Sequence, residues 1–180
     1  CRYNYDNWTK KQAKEYLDWF VSHFDEQADY VLNKSYEEFG INPNTIKTSD
    51  EKLLLVWRWF LKYARKEPVP EEEKDEMWYY YKSIGSMMAN EYQLSPVTLI
   101  FARDIGMLMA KLWLEDVKNL RWEVGYPTAK KNYFHNHPML SGFIFTVEDY
   151  DNPGSTKQYE NRCDPVHIAE TQGVRILRNA

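Results

Sequence analysis

Between Leu94 and Phe145 the pattern of apolar positions changes from a helical period to an alternating one. Ser95-Pro96 is a helix-start signal: the serine can accept from an orphan amide, and proline suits the first helical position. Leu99, Ile100, Ile105, Leu108, Met109, Leu112 and Trp113 then recur at three- and four-residue spacings, and Phe101 and Met107 widen the stripe. The spacing predicts a helix buried on more than one side, the core helix of its domain. Gly106 inside it costs about 1 kcal/mol against alanine, which points to close approach of another element. Asp104, beside Arg103, reads either as a charge paired with that arginine or as a buried functional carboxylate.

After Asn119 the period becomes two. Trp122, Val124 and Tyr126 fall on one face of a strand that Pro127 ends. Gly142 to Val147, rich in β-branched and aromatic residues, predicts a second strand. The two pair antiparallel across a loop from Pro127 to Leu140. A loop that long in a compact domain is often a binding segment, and it is the candidate functional surface.

Upstream, Thr9 and Gln12 form a capping box. The stripe Ala13, Tyr16, Leu17, Phe20, Val21 and Phe24 follows, with His23 near that helix's end. A second, weaker helix covers Glu26 to Phe39 and closes on Gly40; Ile41 to Lys47 reads as loop. Thr48 and Glu51 open the next helix, with Leu53, Leu54, Val56, Trp57, Phe60, Leu61 and Ala64 as its core face and Trp59 exposed. Glu67-Pro68-Val69-Pro70 is a stop followed by a start. Met77, Tyr81, Ile84, Met88 and Tyr92 mark the helix beyond it. Its first acids, Glu71, Glu72, Glu73 and Asp75, either complement the helix dipole or form an acidic docking surface. Past Val147, Asp149 to Thr156 is loop-like. Asp164-Pro165 starts a short helix that Gly173 stops, and Val174, Ile176 and Leu177 add a last strand or simply dock. The whole predicts an α+β, mainly α, single domain over residues 1–180: a bundle of four to five helices (8–119) with a small antiparallel β-sheet near the C-terminus (120–180).

The order Asp104-Ile105-Gly106, Leu120-Arg121-Trp122, Lys131-Asn132, Asn136-His137-Pro138-Met139-Leu140 and Gly142-Phe143 resembles a pattern in uncharacterised bacterial protein families. That pattern reads Asp-Ile/Val-Gly, Trp, Asn-x-Pro-x-Leu-x-Gly-Phe, and some of those families are associated with polymorphic-toxin immunity genes. The resemblance covers residues 104–143, and Met109-Ala110-Lys111 departs from the Tyr/Phe-Gly-Glu step of many relatives. It implies an immunity or antitoxin-like inhibitor with a toxin-like protein partner, and it carries no catalytic residue.

Composition narrows the chemistry. Aromatic residues make up 16% of the chain, with seven tryptophans and fourteen tyrosines, which favours a well-packed core. A net charge of −4 without a long basic cluster argues against a phosphate-dominated nucleic-acid binder. No apolar run approaches the roughly 18 residues of a membrane span. Two cysteines, Cys1 and Cys163, make no disulfide framework and fit a reducing cytoplasm. The initial Cys1 leaves open a lipid-anchored alternative beside a chain boundary or removed leader.

No Walker A, Gly-x-Gly-x-x-Gly, Gly-x-Ser-x-Gly or His-Glu-x-x-His motif occurs, and no cofactor is expected. His135 and His137, alternate residues of an extended segment, could share a metal if Asp104 or His167 completed the set. Cys163 and His167 are the nearest Cys/His pair. The leading expectation is a non-enzymatic protein-interaction module whose anchors are Tyr126, Lys131, Tyr133, Phe134 and His135. The alternative is a small metal-dependent hydrolase using His135, His137 and Asp104.

Overall fold

The computed structural model describes residues 5–71 and 92–178. Among them run four α-helices, α1 (Lys10–Phe39), α2 (Ser49–Tyr63), α3 (Pro96–Asp116) and α4 (Pro165–Arg178). Five strands accompany them: β1 (Lys66–Pro68), β2 (Tyr92–Leu94), β3 (Arg121–Val124), β4 (Pro138–Glu148) and β5 (Thr156–Cys163). The class is α+β, mainly α, with two small antiparallel sheets, β1-β2 and β3-β4-β5. The chain divides into two compact units. One takes Phe24–Met109 and Val166–Ala180, the other Arg2–His23 and Ala110–Pro165.

In the first unit the helix ends follow local chemistry. Thr48 Oγ1 accepts from Glu51 N at 3.2 Å while Glu51 Oε2 accepts from Thr48 N at 3.0 Å, a reciprocal capping box. Gly40 sits at φ 62°. The amides of Gly40 and Ile41 reach back to the carbonyls of Glu37 and Tyr36 at 3.3 and 3.0 Å, which closes α1 as a Schellman motif. Ser95 caps α3 through Thr98 N at 3.3 Å. The Thr98 hydroxyl also meets both the amide and the carbonyl of Arg65, at 2.8 and 2.9 Å, and so fastens the end of α2 to the start of α3.

Several elements depart from the sequence-based expectation. Helix α1 is one unbroken rod, not two helices. Asp25-Glu26-Gln27 contains no breaker, and Phe24, Ala28, Val31 and Ser35 continue one buried stripe. In α2 the core face is turned. Trp59 is 7% exposed and packs edge-on against Phe101 at 4.7 Å, whereas Leu54 is 65% exposed. Apolar residues ring that helix on nearly every side, so the spacing alone supports more than one phase. Tyr92 belongs to β2, paired with Pro68 of β1. The predicted stripe residues Met77, Tyr81, Ile84 and Met88 lie outside the described residues. Helix α4 runs through Gly173, which neither stops it nor yields to a strand. A Cβ at Gly173 would stand 3.0 Å from Phe60 Cζ, so a close approach accounts for that glycine.

In the second unit the Thr9–Gln12 box forms as expected. Strands β3 and β4 pair antiparallel, Arg121 with Ser141 through Val124 with Pro138. Strand β4 begins at Pro138 and not at Gly142, so the loop is shorter than predicted and spans residues 125–137. Phe20 of α1 packs edge-on against Trp122 of β3 at 5.0 Å, and Trp113 of α3 against Phe143 of β4 at 5.7 Å. Strand β5 had no counterpart in the prediction. Its Lys157, Gln158, Glu160, Asn161 and Arg162 give no apolar alternation, because most of the strand is exposed.

Trp59→Ala should lose about 3–5 kcal/mol of stability and Leu54→Ala less than about 0.5 kcal/mol, read from urea unfolding of the two variants. Equal losses would place the α2 core on the other face.

Candidate functional site

The loop between β3 and β4 is compact. Successive amides of Ala129, Asn132, His135 and His137 donate to carbonyls three residues back, at 2.8–3.2 Å. The base is closed by Gly125 N on His137 O and Asn136 N on Gly125 O, both 2.7 Å. Gly125 is buried there, and a Cβ would fall 2.5 Å from Met139 Sδ and 2.6 Å from Phe134 O. Tyr126 and Asn136 adopt left-handed backbone at φ 41° and 63°. Such conformations cost a side-chain-bearing residue about 1–2 kcal/mol, so the surrounding contacts must hold them.

The contacts are polar and buried. His135 is 2% exposed. Its Nδ1 lies 2.8 Å from the Tyr126 carbonyl, which can only accept, so Nδ1 carries the proton. Nε2 is left to accept from Asn136 Nδ2 at 3.1 Å. The same Asn136 amide donates to the carbonyls of Tyr5 and Trp8, at 3.1 and 3.0 Å. Two hydrogens thus serve three acceptors. Asn136 ties the loop to the segment ahead of α1, where Tyr5 and Trp8 pack edge to face with each other and with Tyr16 of α1.

His137 is used differently. Its Nδ1 is 2.7 Å from Asp164 Oδ2, and Asp164 is buried at the junction of β5 and α4. The ring lies against Tyr5 at 4.1 Å, with Phe134 and Tyr133 at 5.8 and 5.9 Å. A carboxylate on Nδ1 with Nε2 uncommitted is the orientation of a general base. Among the described residues neither a hydroxyl nor a thiolate hydrogen-bonds that Nε2. The adjacent Cys163 is no substitute: burial, and then the Asp164 charge, push its thiol up to about 12, which keeps it protonated. The pair fastens the end of the loop to the residue that follows β5.

The predicted anchors separate into two groups. Lys131 and Tyr133 are exposed, Tyr133 by 41%. Tyr126 is half-buried, with the Arg162 guanidinium 5.1 Å above its ring, and Phe134 is half-buried edge-on to Tyr133 at 5.0 Å. His135 is internal, and its hydrogen bonds hold the loop. The alternative metal set is not assembled. Both nitrogens of His135 are occupied, and the left-handed Asn136 breaks the alternation that would align it with His137. Asp104, in the first unit, accepts from Arg103 Nη2 at 2.9 Å. Burial raises the pKa of its carboxyl and Arg103 opposes the rise. Among the described residues no group of three His, Cys, Asp or Glu side chains could hold a metal ion. His167 lies near Thr171, one turn along α4.

Two residues of the site were missed. In the sequence Asp164 marks only a helix start, and its partner is 27 residues away, beyond any local signal. Asn136 falls within a motif, but nothing in the sequence marks its carboxamide as internal. Comparison with protein-family models, curated proteins and solved structures found no match to this chain. No described helix is long and apolar enough to cross a membrane.

Two outcomes are expected. Asn136→Ala and Asn136→Gly both lose the carboxamide bonds, and alanine should be worse by about 1 kcal/mol in denaturant unfolding because it also bears the left-handed strain. The thiol of Cys163 lies above its ordinary value of 9.0 when folded. Its share of stability is therefore complete below pH 9 and lost as pH rises toward 12, by about 1.4 kcal/mol per pH unit. Urea unfolding at pH 8 and pH 10 should show this slope, reduced in Cys163→Ala.

Proposed function

We propose that this chain is a non-enzymatic protein-interaction module that presents the β3–β4 loop to a protein partner, in the manner of an immunity or antitoxin-like inhibitor. The observation that carries the proposal is the division of labour within the loop. His135 and Asn136 are buried and spend their hydrogen bonds on fixing the backbone, while Tyr133, Lys130 and Lys131 face outward from it. An aromatic side chain on a pre-organised loop contributes contact area at low entropic cost. Two lysines beside it suit a partner face that carries acidic groups. The resemblance over residues 104–143 supports the inhibitor class and the toxin-like nature of the partner.

The test is co-expression with the products of adjoining genes. One of them should be toxic alone, be suppressed by this chain and co-purify with it. Tyr133→Ala and Lys131→Glu should each weaken that complex at least tenfold, about 1.4 kcal/mol, with thermal unfolding unchanged. Unaltered affinity in both variants would remove the loop from the interface, and a full set of neighbours with no suppressed toxin would overturn the inhibitor class.

A further inference from the structure

Strand β4 is longer than the strand beside it. Strand β3 covers Pro138–Ser141 only, whereas β5 pairs with β4 out to Glu148. Asn119 and Leu120 lie against Gly142, where a Cβ would come within 2.5 Å of the Asn119 carbonyl oxygen. From Ile144 to Glu148, then, one edge of β4 carries β5 and the other carries no strand among the described residues. Ile144, Phe145 and Val147 are exposed there, and Tyr159 is exposed opposite Phe145.

Edge strands of monomers are usually blunted by charge. The outer edge of β5 follows that rule, with Lys157, Glu160 and Arg162. Strand β4 does so only at its last residue, the exposed Glu148: no charged residue occurs from Pro138 to Val147.

We propose that this open edge pairs antiparallel with the same edge of a second copy of the chain, centred on Thr146. The stretch is its own complement in that register. Thr146 meets Thr146, Phe145 meets Val147 twice, and Ile144 meets Glu148 twice, so no charge opposes a like charge. Phe145, Val147 and Tyr159 share one face of the ribbon, and each copy's set continues into the other's.

Charge complementarity at the ends favours a second copy over an unrelated strand. In this register the acidic ribbon tip of one copy, with exposed Glu148 and Asp151, reaches the start of β3 in the other. Exposed Lys118 and Arg121 lie there, Arg121 already bridging to Glu160 at 2.7 Å. Asp149 of the tip is held by Lys157 at 2.8 Å, which keeps its carboxyl below the ordinary range and the turn in shape. The interface is isologous and closes on itself.

The register supplies its own test. Light scattering after gel filtration should give a mass twice the 21.6 kDa of the chain at micromolar concentration. Thr146→Lys and Thr146→Glu each oppose like charges at the two-fold centre. Each should weaken the dimer at least tenfold while circular dichroism and thermal unfolding of the dilute chain stay the same. An equimolar mixture of the two variants should restore the dimer, because the introduced lysine of one copy then faces the introduced glutamate of the other. A wild-type chain that remains monomeric to about 1 mM overturns the proposal and leaves the edge to a strand of another protein. A dimer that either variant leaves intact, or that the mixture fails to restore, overturns it as well.

Discussion

One carboxamide holds the second unit's polar interior together. Asn136 donates to carbonyls at positions 5 and 8 and to the imidazole of residue 135. It thereby joins the segment ahead of α1 to a loop more than a hundred residues later. Each such bond adds only about 1 kcal/mol net, but a buried carbonyl left without a donor costs about 1–3 kcal/mol. The network is stable enough to leave the Asn136 side-chain oxygen buried without a donor among the described residues. That accounts for the left-handed backbone at Tyr126 and Asn136. Strain at both positions is sustained by the bonds that their turns make possible.

The legible parts of the fold were those fixed by chemistry within a few residues. Thr9 with Gln12, Thr48 with Glu51, Ser95 with Pro96, and Gly40 after Phe39 all mark helix ends as expected, because caps are local hydrogen-bonding problems. Phase was harder. Helix α2 contains Leu53-Leu54-Leu55-Val56-Trp57 and Trp59-Phe60-Leu61, and a helix apolar on most sides has its buried face chosen by its neighbours. Phe101 selects Trp59. The break expected near Glu26 in α1 does not occur, and Asp25 and Glu26 lie on its exposed face. A long helix tolerates such charges when its solvent face simply continues.

Strand β5 and Asp164 escaped for a related reason. A strand exposed on both faces needs no alternation, so its sequence carries no periodic signal, and only pairing with β4 makes it a strand. Asp164 beside Pro165 is an ordinary helix start until His137 is placed on it. Of the anchors expected at the loop, the polarity of Lys131 and Tyr133 fitted exposure. The same polarity in His135 concealed an interior role. An imidazole offers one donor and one acceptor when neutral, which is what a buried turn between a carbonyl and an amide requires.

The two histidines of this loop show why residue type and spacing underdetermine chemistry. His135 and His137 are two positions apart, a separation that in a strand would aim both rings to one side. The backbone between them turns left-handed instead, and each ring enters a different bond network. One ring has both nitrogens committed inside the loop, and the other gives Nδ1 to a carboxylate at the end of β5. A metal entering at His135 Nε2 would first have to displace the Asn136 amide, which also ties down Tyr5 and Trp8. The same bonds that make the loop a firm platform for Tyr133 and Lys131 therefore oppose its conversion into a metal centre.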